Sequence, residues 1–436
     1  MIKIIRVSLL LVVGFSLASA QNEKSQTPLE RRAADVCALF QAVPASYEKL
    51  FAPEFLTQVP PAQLTSIFTQ YFSQLGRCSA TKTTTRQSET AASFELAFEK
   101  GFTVPANVSV SAIVPNLIDG LWLGNPTSSS GSLRDLANEL KGWRGETSFL
   151  VARLNDQGIT PIVSQNADRE LAIGSAFKLF ILSELTKELN ANQRKLSDVV
   201  MLDEGGFSLP SGTLQTWPPG SPVTLHTLAT FMISISDNTA TDHLLKILGR
   251  ERVESVTSEV GHSKPELNKP FLSTLEMFKL KGDSTHSLAE QYLALDVNGR
   301  RKFLAGQIAA IKREEAKPYS DGKPAYVDRI EWFASVTDLC RVMDWLRRNT
   351  DTGKSAAALR DVLAINPGSG LNVSRQRWSY IGYKGGSEPG VLNMTYLLRS
   401  NAGQWYAMSI SWNDKEAALD NAKVFALVQR ALQIIE

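Results

Sequence analysis

Histidine and cysteine are scarce in this 436-residue chain, which has four of the first and three of the second. His226, His243, His262 and His286 are scattered and no CxxC pair joins them, so a metal site would have to rest on carboxylates alone. Neither a metal nor a cofactor is expected. A basic excess is also missing: 46 Lys and Arg face 44 Asp and Glu, too even a balance to hold a phosphate backbone by counterion release. Nucleic acid is therefore not an expected partner. Beyond residue 20 no apolar run approaches the roughly eighteen residues of a membrane span. What is present, 43% apolar residues with 28 Gly and 19 Pro, excludes a mainly disordered or collagen-like chain and suffices for two compact domains.

Lys3 and Arg6 precede an apolar run from Val7 to Leu17 that ends in Ala18, Ser19 and Ala20. This pattern reads as a secretory signal peptide over residues 1–20, too short in its apolar part to span a bilayer. Its removal would take two positive charges and no acid, lowering the net charge from +2 to 0. No Cys follows the small residues to carry a lipid. The expectation is an exported protein, periplasmic or extracellular, not inserted in a membrane after cleavage, with a monomer as the default state. Export permits disulfides, and Cys37 with Cys78 is the candidate pair, leaving Cys340 over; three unbonded cysteines are the alternative.

The pattern along the chain predicts an α+β protein of two domains. Residues 25–125 begin with helical spacing (Leu29, Ala33, Val36, Cys37, Phe40; then Leu64, Ile67, Phe68, Tyr71, Phe72, Leu75) and change to strands at 93–99, 107–114 and 117–123. Residues 126–132 read as a linker. From Leu133 to the C-terminus the order is a helix over 133–140, a hairpin over 147–154 and 159–165, a helical middle, strands at 378–384, 391–399 and 405–412, and a helix over 415–434. Strands at both ends of this unit imply one antiparallel sheet completed by both, with an all-helical part between them.

Three short tracts bear chemistry. Ser175 and Lys178 open a helix three residues apart, which puts hydroxyl and amine on one face, within reach for proton transfer if the amine is desolvated. A lone SxxK usually means a capping Ser and a Lys that reaches water. Ser236, Asp237 and Asn238 lie between two helices, where capping by Asn238 or Thr239, with Asp242, would account for the composition. Lys384, Gly385 and Gly386 end a strand, and the glycines permit a close backbone approach. Each is weak alone; their order and context agree.

In these tracts, and in 171–182, 224–248 and 383–386 around them, the chain from about Leu133 onward resembles the serine β-lactamase and penicillin-binding protein superfamily, most closely its class A branch. The resemblance implies a β-lactamase/transpeptidase-like domain over 133–436 in which Ser175 is acylated and Lys178 is its proton partner. Ser236 would shuttle a proton to the leaving group, and Asn238 would contact substrate or Lys178. Lys384 would face a substrate carboxylate and Ser236. Gly385, Gly386 and Ser387 would bind substrate, with the amides of Ser175 and Ser387 as the oxyanion hole. The expected substrate is a small β-lactam, amide or ester.

The tract Lys264-Pro265-Glu266-Leu267-Asn268 resembles the family's deacylation loop but has Lys264 where a Glu is expected, and a cationic amine cannot hold water as a general base in the step that releases the acyl group. Gly385 replaces a hydroxyl residue, Met394 stands where many class A enzymes have an Arg, and Glu388 with Pro389 is expected to charge the cleft rim. The expectation is a serine hydrolase of β-lactamase or esterase type with an acyl-Ser175 intermediate. The alternatives are a class A β-lactamase that uses Glu266 or another carboxylate, and a noncatalytic penicillin-binding sensor. A small cone-like N-terminal domain ahead of such a unit resembles the steroid-isomerase-like module that accompanies the serine hydrolase of clavam biosynthesis. There Asp119 and the aromatics Phe94, Phe98, Phe102 and Trp122 are read as structural rather than catalytic.

Overall fold

The computed structural model describes residues 27–41, 46–124, 126–128, 131–283, 285–368 and 377–435. The expected signal segment lies outside them. Helix α1 (Pro28–Leu39) starts at a capping box between Thr27 and Glu30 and turns Leu29, Ala33, Val36 and Cys37 inward. Helix α2 (Pro61–Leu75) follows, with Leu64, Phe68 and Leu75 buried. Strands β1 (Cys78–Arg86), β2 (Ala91–Phe98), β3 (Phe102–Val110) and β4 (Ile118–Leu123) pair antiparallel in chain order. The sequence reading has no counterpart for β1: only Cys78 of it is buried, so its Thr-rich run has no apolar alternation to reveal it.

Phe94, Phe98 and Phe102 are in the core of this unit, whereas Trp122 is 55% exposed. Asp119 is exposed and accepts a hydrogen bond from Ser109 Oγ at 2.5 Å. Cys37 and Cys78 are joined by a disulfide that ties α1 to β1, and Cys340 is free and buried.

The second unit opens with α3 (Leu133–Leu140) and the hairpin β5 (Glu146–Asn155) and β6 (Gly158–Gln165). Its helical middle includes α4 (Lys178–Asn190), α5 (Leu225–Ser234), α6 (Asn238–Leu248), α7 (Thr274–Lys281) and α8 (Val336–Asn349). Then come β7 (Trp378–Glu388), β8 (Val391–Ser400), β9 (Trp405–Asn413) and α9 (Asn421–Ile434). The antiparallel sheet has the spatial order β7-β8-β9-β5-β6, so the expectation that both ends complete one sheet holds. The β9–β5 pairing runs from Trp405 opposite Leu154 to Asn413 opposite Glu146.

Strand alternation separates two cores. Phe149 and Val151 face the α3 and α9 side; Leu150, Ala152 and Leu154 face the helical middle with Leu179, Leu182 and Leu339. Each buried Leu, Val or Phe among these contributes about 1.5–3 kcal/mol relative to exposure. Helix α9 begins later than the expected 415, because the Asp414 carboxylate gathers the amides of Glu416 and Ala417 into a turn and Asp420 then caps the helix. Among the described residues no helix is long and apolar enough to cross a membrane.

Candidate active site

Ser175 lies in a 3-10 turn, Gly174–Phe177, that leads into α4. Two glycines allow this turn to sit directly on β7. Gly174 has φ +48°, and a Cβ there would lie 3.0 Å from the Ser387 nitrogen. A Cβ on Gly386 would lie 2.1 Å from the Ile173 carbonyl oxygen and 2.3 Å from the Ser175 nitrogen. Gly386 thus admits the serine turn, not only a ligand as the sequence suggests. Behind the turn the Phe177 ring stacks on Trp332, 3.6 Å between centroids, and Trp332 Nε1 donates to the Leu272 carbonyl.

Lys178 is wholly buried. Its Nζ contacts the Ser236 carbonyl oxygen at 2.7 Å, Asn238 Oδ1 at 2.7 Å and Ser236 Oγ at 3.0 Å. The first two partners only accept, so a neutral amine would spend both its hydrogens on them and turn its lone pair to the Ser236 hydroxyl. Asn238 Nδ2 donates to the Leu209 carbonyl and so keeps Oδ1 toward Lys178. From the opposite side Lys384 Nζ donates to Ser236 Oγ at 3.1 Å and to the Gly385 carbonyl at 2.6 Å. Burial, and after it the neighbouring Lys384, push the Lys178 amine well below the ordinary lysine range, against the pull of Asp242 and Asp237. Burial alone pushes Lys384 down to about 7.

Ser236 has φ +57°, a left-handed conformation uncommon for a residue with a Cβ. Its surroundings fix it there. Ser211 Oγ donates to the Ser236 carbonyl, and the Asn238 amide donates to the Ser211 carbonyl. Asp237 is the cap of α6: Oδ1 accepts from the Ala240 amide, while Oδ2 accepts from the amides of Thr213 and Leu214. The capping expected of Asn238 or Thr239 is thus done one or two residues earlier. Asp242 instead accepts from the amides of Thr274 and Leu275 at the start of α7.

Ser175, Ser236, Asn238, Lys384, Gly385, Gly386 and Ser387 line one cleft of about 930 Å³. The tract expected for deacylation is elsewhere. Lys264 and Glu266 are exposed, and Asn268 is buried with its amide clamped on the Phe333 backbone. None of the three lines the cleft. The rim charge expected of Glu388 is also corrected: its side chain is only 6% exposed, Lys281 Nζ donates to it at 2.5 Å, and the Tyr319 hydroxyl donates to its other oxygen. Lys281 bridges on to Glu331 at 2.8 Å. Burial works against the Lys281 charge, but Glu331 and Glu388 outweigh it and hold the amine above its ordinary range. Burial pushes Glu388 up, with Lys281 opposing. Sequence reasoning missed this cluster, whose members stand at 281, 319, 331 and 388, and missed the Leu209–Leu214 loop as the cradle of Ser236.

Residues 132–310 match the profile of the Beta-lactamase enzyme family, which covers less than half of the chain and includes Ser175, Lys178 and Ser236. Similar solved structures include a β-lactamase from Sphaerobacter thermophilus, 20% identical over 69% of this chain and 95% of that one, with a TM-score of 0.49. The protein PBP-A is 16% identical over 69% of this chain and 95% of that one, with a TM-score of 0.48. A β-lactamase from Desulfarculus baarsii is 15% identical over 70% and 98%, with a TM-score of 0.49. No curated protein matches the chain.

Proposed function

We propose that the protein is an exported serine hydrolase that acts on a β-lactam, amide or ester carbonyl through an acyl-Ser175 intermediate. The observation that carries this reading is the pair of buried amines, Lys178 and Lys384, meeting at the one hydroxyl of Ser236 in the cleft that Ser175 lines. A lysine so depressed can hold a lone pair at neutral pH, and on this reading it takes the Ser175 proton once that lone pair turns from the Ser236 hydroxyl to Ser175 Oγ. Ser236 then passes a proton from Lys178 to the leaving group, since its hydroxyl is in contact with both amines. The amides of Ser175 and Ser387, brought together where Gly174 meets Gly386, are assigned to the developing oxyanion. One such donor is worth roughly 3–4 kcal/mol in a serine protease, far more than a surface ion pair at about 0–1. The N-terminal unit, whose Asp119 is spent on Ser109, is assigned a supporting role.

Time-resolved intact-mass measurement with benzylpenicillin and with a nitrophenyl ester tests the reading. An adduct that forms on the native chain and is absent from Ser175→Ala supports it. Full turnover by Ser175→Ala dismisses every covalent version. A penicillin adduct that persists without any ester turnover would favour the sensor alternative.

A further inference from the structure

Among the described residues that line the Ser175 cleft, Glu388 is the sole carboxylate. It stands four residues beyond Lys384 on β7, and alternate residues of a strand share a face. Between them on that face is Gly386, whose missing Cβ points at the Ser175 backbone. The serine turn is therefore seated between two side chains of one strand, each roughly 6.5 Å along from Gly386. On one side is Lys384 with Ser236 and Lys178; on the other is Glu388.

We propose that Glu388 is the base that activates the water releasing the acyl group from Ser175. This deepens the acyl-Ser175 reading and rests on it. Lys281 and Tyr319 are the positioning residues, each bonded to a different oxygen of the carboxylate. An ionised carboxylate offers about four acceptor sites, so two remain for water. Glu388 takes a proton from water as the oxygen bonds the acyl carbon, and the carbonyl π pair moves to the oxyanion. As that intermediate collapses, the carbon–Oγ bond breaks and Glu388 returns the proton to Ser175 Oγ. The sum is one ester and one water consumed, one carboxylic acid and one free serine formed. The charged and titratable groups around Glu388 are Lys281, Glu331 and Tyr319, with Lys317 and Lys384 elsewhere on the cleft wall.

The test follows the benzylpenicillin and nitrophenyl-ester adducts of the full chain by intact mass, from pH 4 to 9. With Glu388→Gln the adduct on Ser175 should form at a near-native rate and decay at least about a hundredfold more slowly, in line with the loss of a general base. Its decay should lack the acid limb of the native chain. Tyr319→Phe, which leaves fold and carboxylate in place, should keep adduct formation and move that limb to higher pH, because one donor to the ionised form is gone. Equal decay in native and Glu388→Gln chains, or a limb that Tyr319→Phe leaves unmoved, overturns the assignment. Absence of any adduct on both the native and the Glu388→Gln chains overturns the acyl-Ser175 reading itself, a distinct result.

Discussion

Lys178 and Lys384 share one hydroxyl while both are sealed from water, and much of the chemistry follows from the cost of charging them there. Lys178→Arg should abolish adduct formation, by at least a thousandfold in a stopped-flow burst, because a guanidinium does not deprotonate in this range and its fork does not fit three contacts made by one nitrogen. The same depression makes stability depend on pH. Lys384 in the folded chain, at about 7, lies below its value near 10.4 in the unfolded chain. Between those pH values the unfolded state binds more protons, so stability should rise with pH. Lys384→Met should therefore melt above the native chain at pH 7, with the gap narrowing toward pH 10, as differential scanning calorimetry would show. At Cys340 burial pushes the thiol far up, so iodoacetamide should leave it unmodified until the chain unfolds.

At the scale of elements, the contact between the serine turn and β7 is made by backbone and tolerates no methyl group. Gly386→Ala should lower stability by about 1–3 kcal/mol in urea titration and reduce burst amplitude, since relief of the overlap displaces the Ser175 amide. Lys281→Met leaves Glu331 and Glu388 without their shared cation and should cost about 3–5 kcal/mol at pH 7, and less in acid, where the carboxylates protonate. Much at this scale was legible beforehand. The hairpin Glu146–Gln165 and the strands β7 to β9 show alternation or apolar runs, and α3 was bounded as found. The rest was hidden for definite reasons. Strand β1 is exposed and polar, the cap of α6 falls to the residue whose carboxylate also holds a distant loop, and the Glu388 cluster joins four remote positions by burial, which spacing does not record. The proposed catalytic residues were readable because four of them lie in three tracts of three or four residues; Glu388 was visible as a charge, and only its burial shows the company it keeps.

For the whole molecule, α9 is the common wall. It lays Val424, Leu427 and Val428 on the central sheet, adds Ala426 to the core of the N-terminal unit, and anchors Arg430 on Glu139 of α3 at 2.7 Å. Gly101, in the turn between β2 and β3 at φ +77°, backs against Arg430, where a Cβ would lie 2.5 Å from a guanidinium nitrogen. The disulfide between Cys37 and Cys78 spans 41 positions, for which loop entropy allows about 4 kcal/mol. Replacing both by Ala should therefore lower the first melting transition of the full chain while acylation of Ser175 at 25 °C continues.

The seam between β9 and β5 joins residues some 250 positions apart. Until Trp405–Asn413 has joined the sheet, this edge of β5 has no mate, and the platform beneath Ser175 is unfinished. Such distant pairing slows collapse to the native state. A chain stopped short of β9 would thus hold Ser175 over an incomplete sheet, however intact the serine itself.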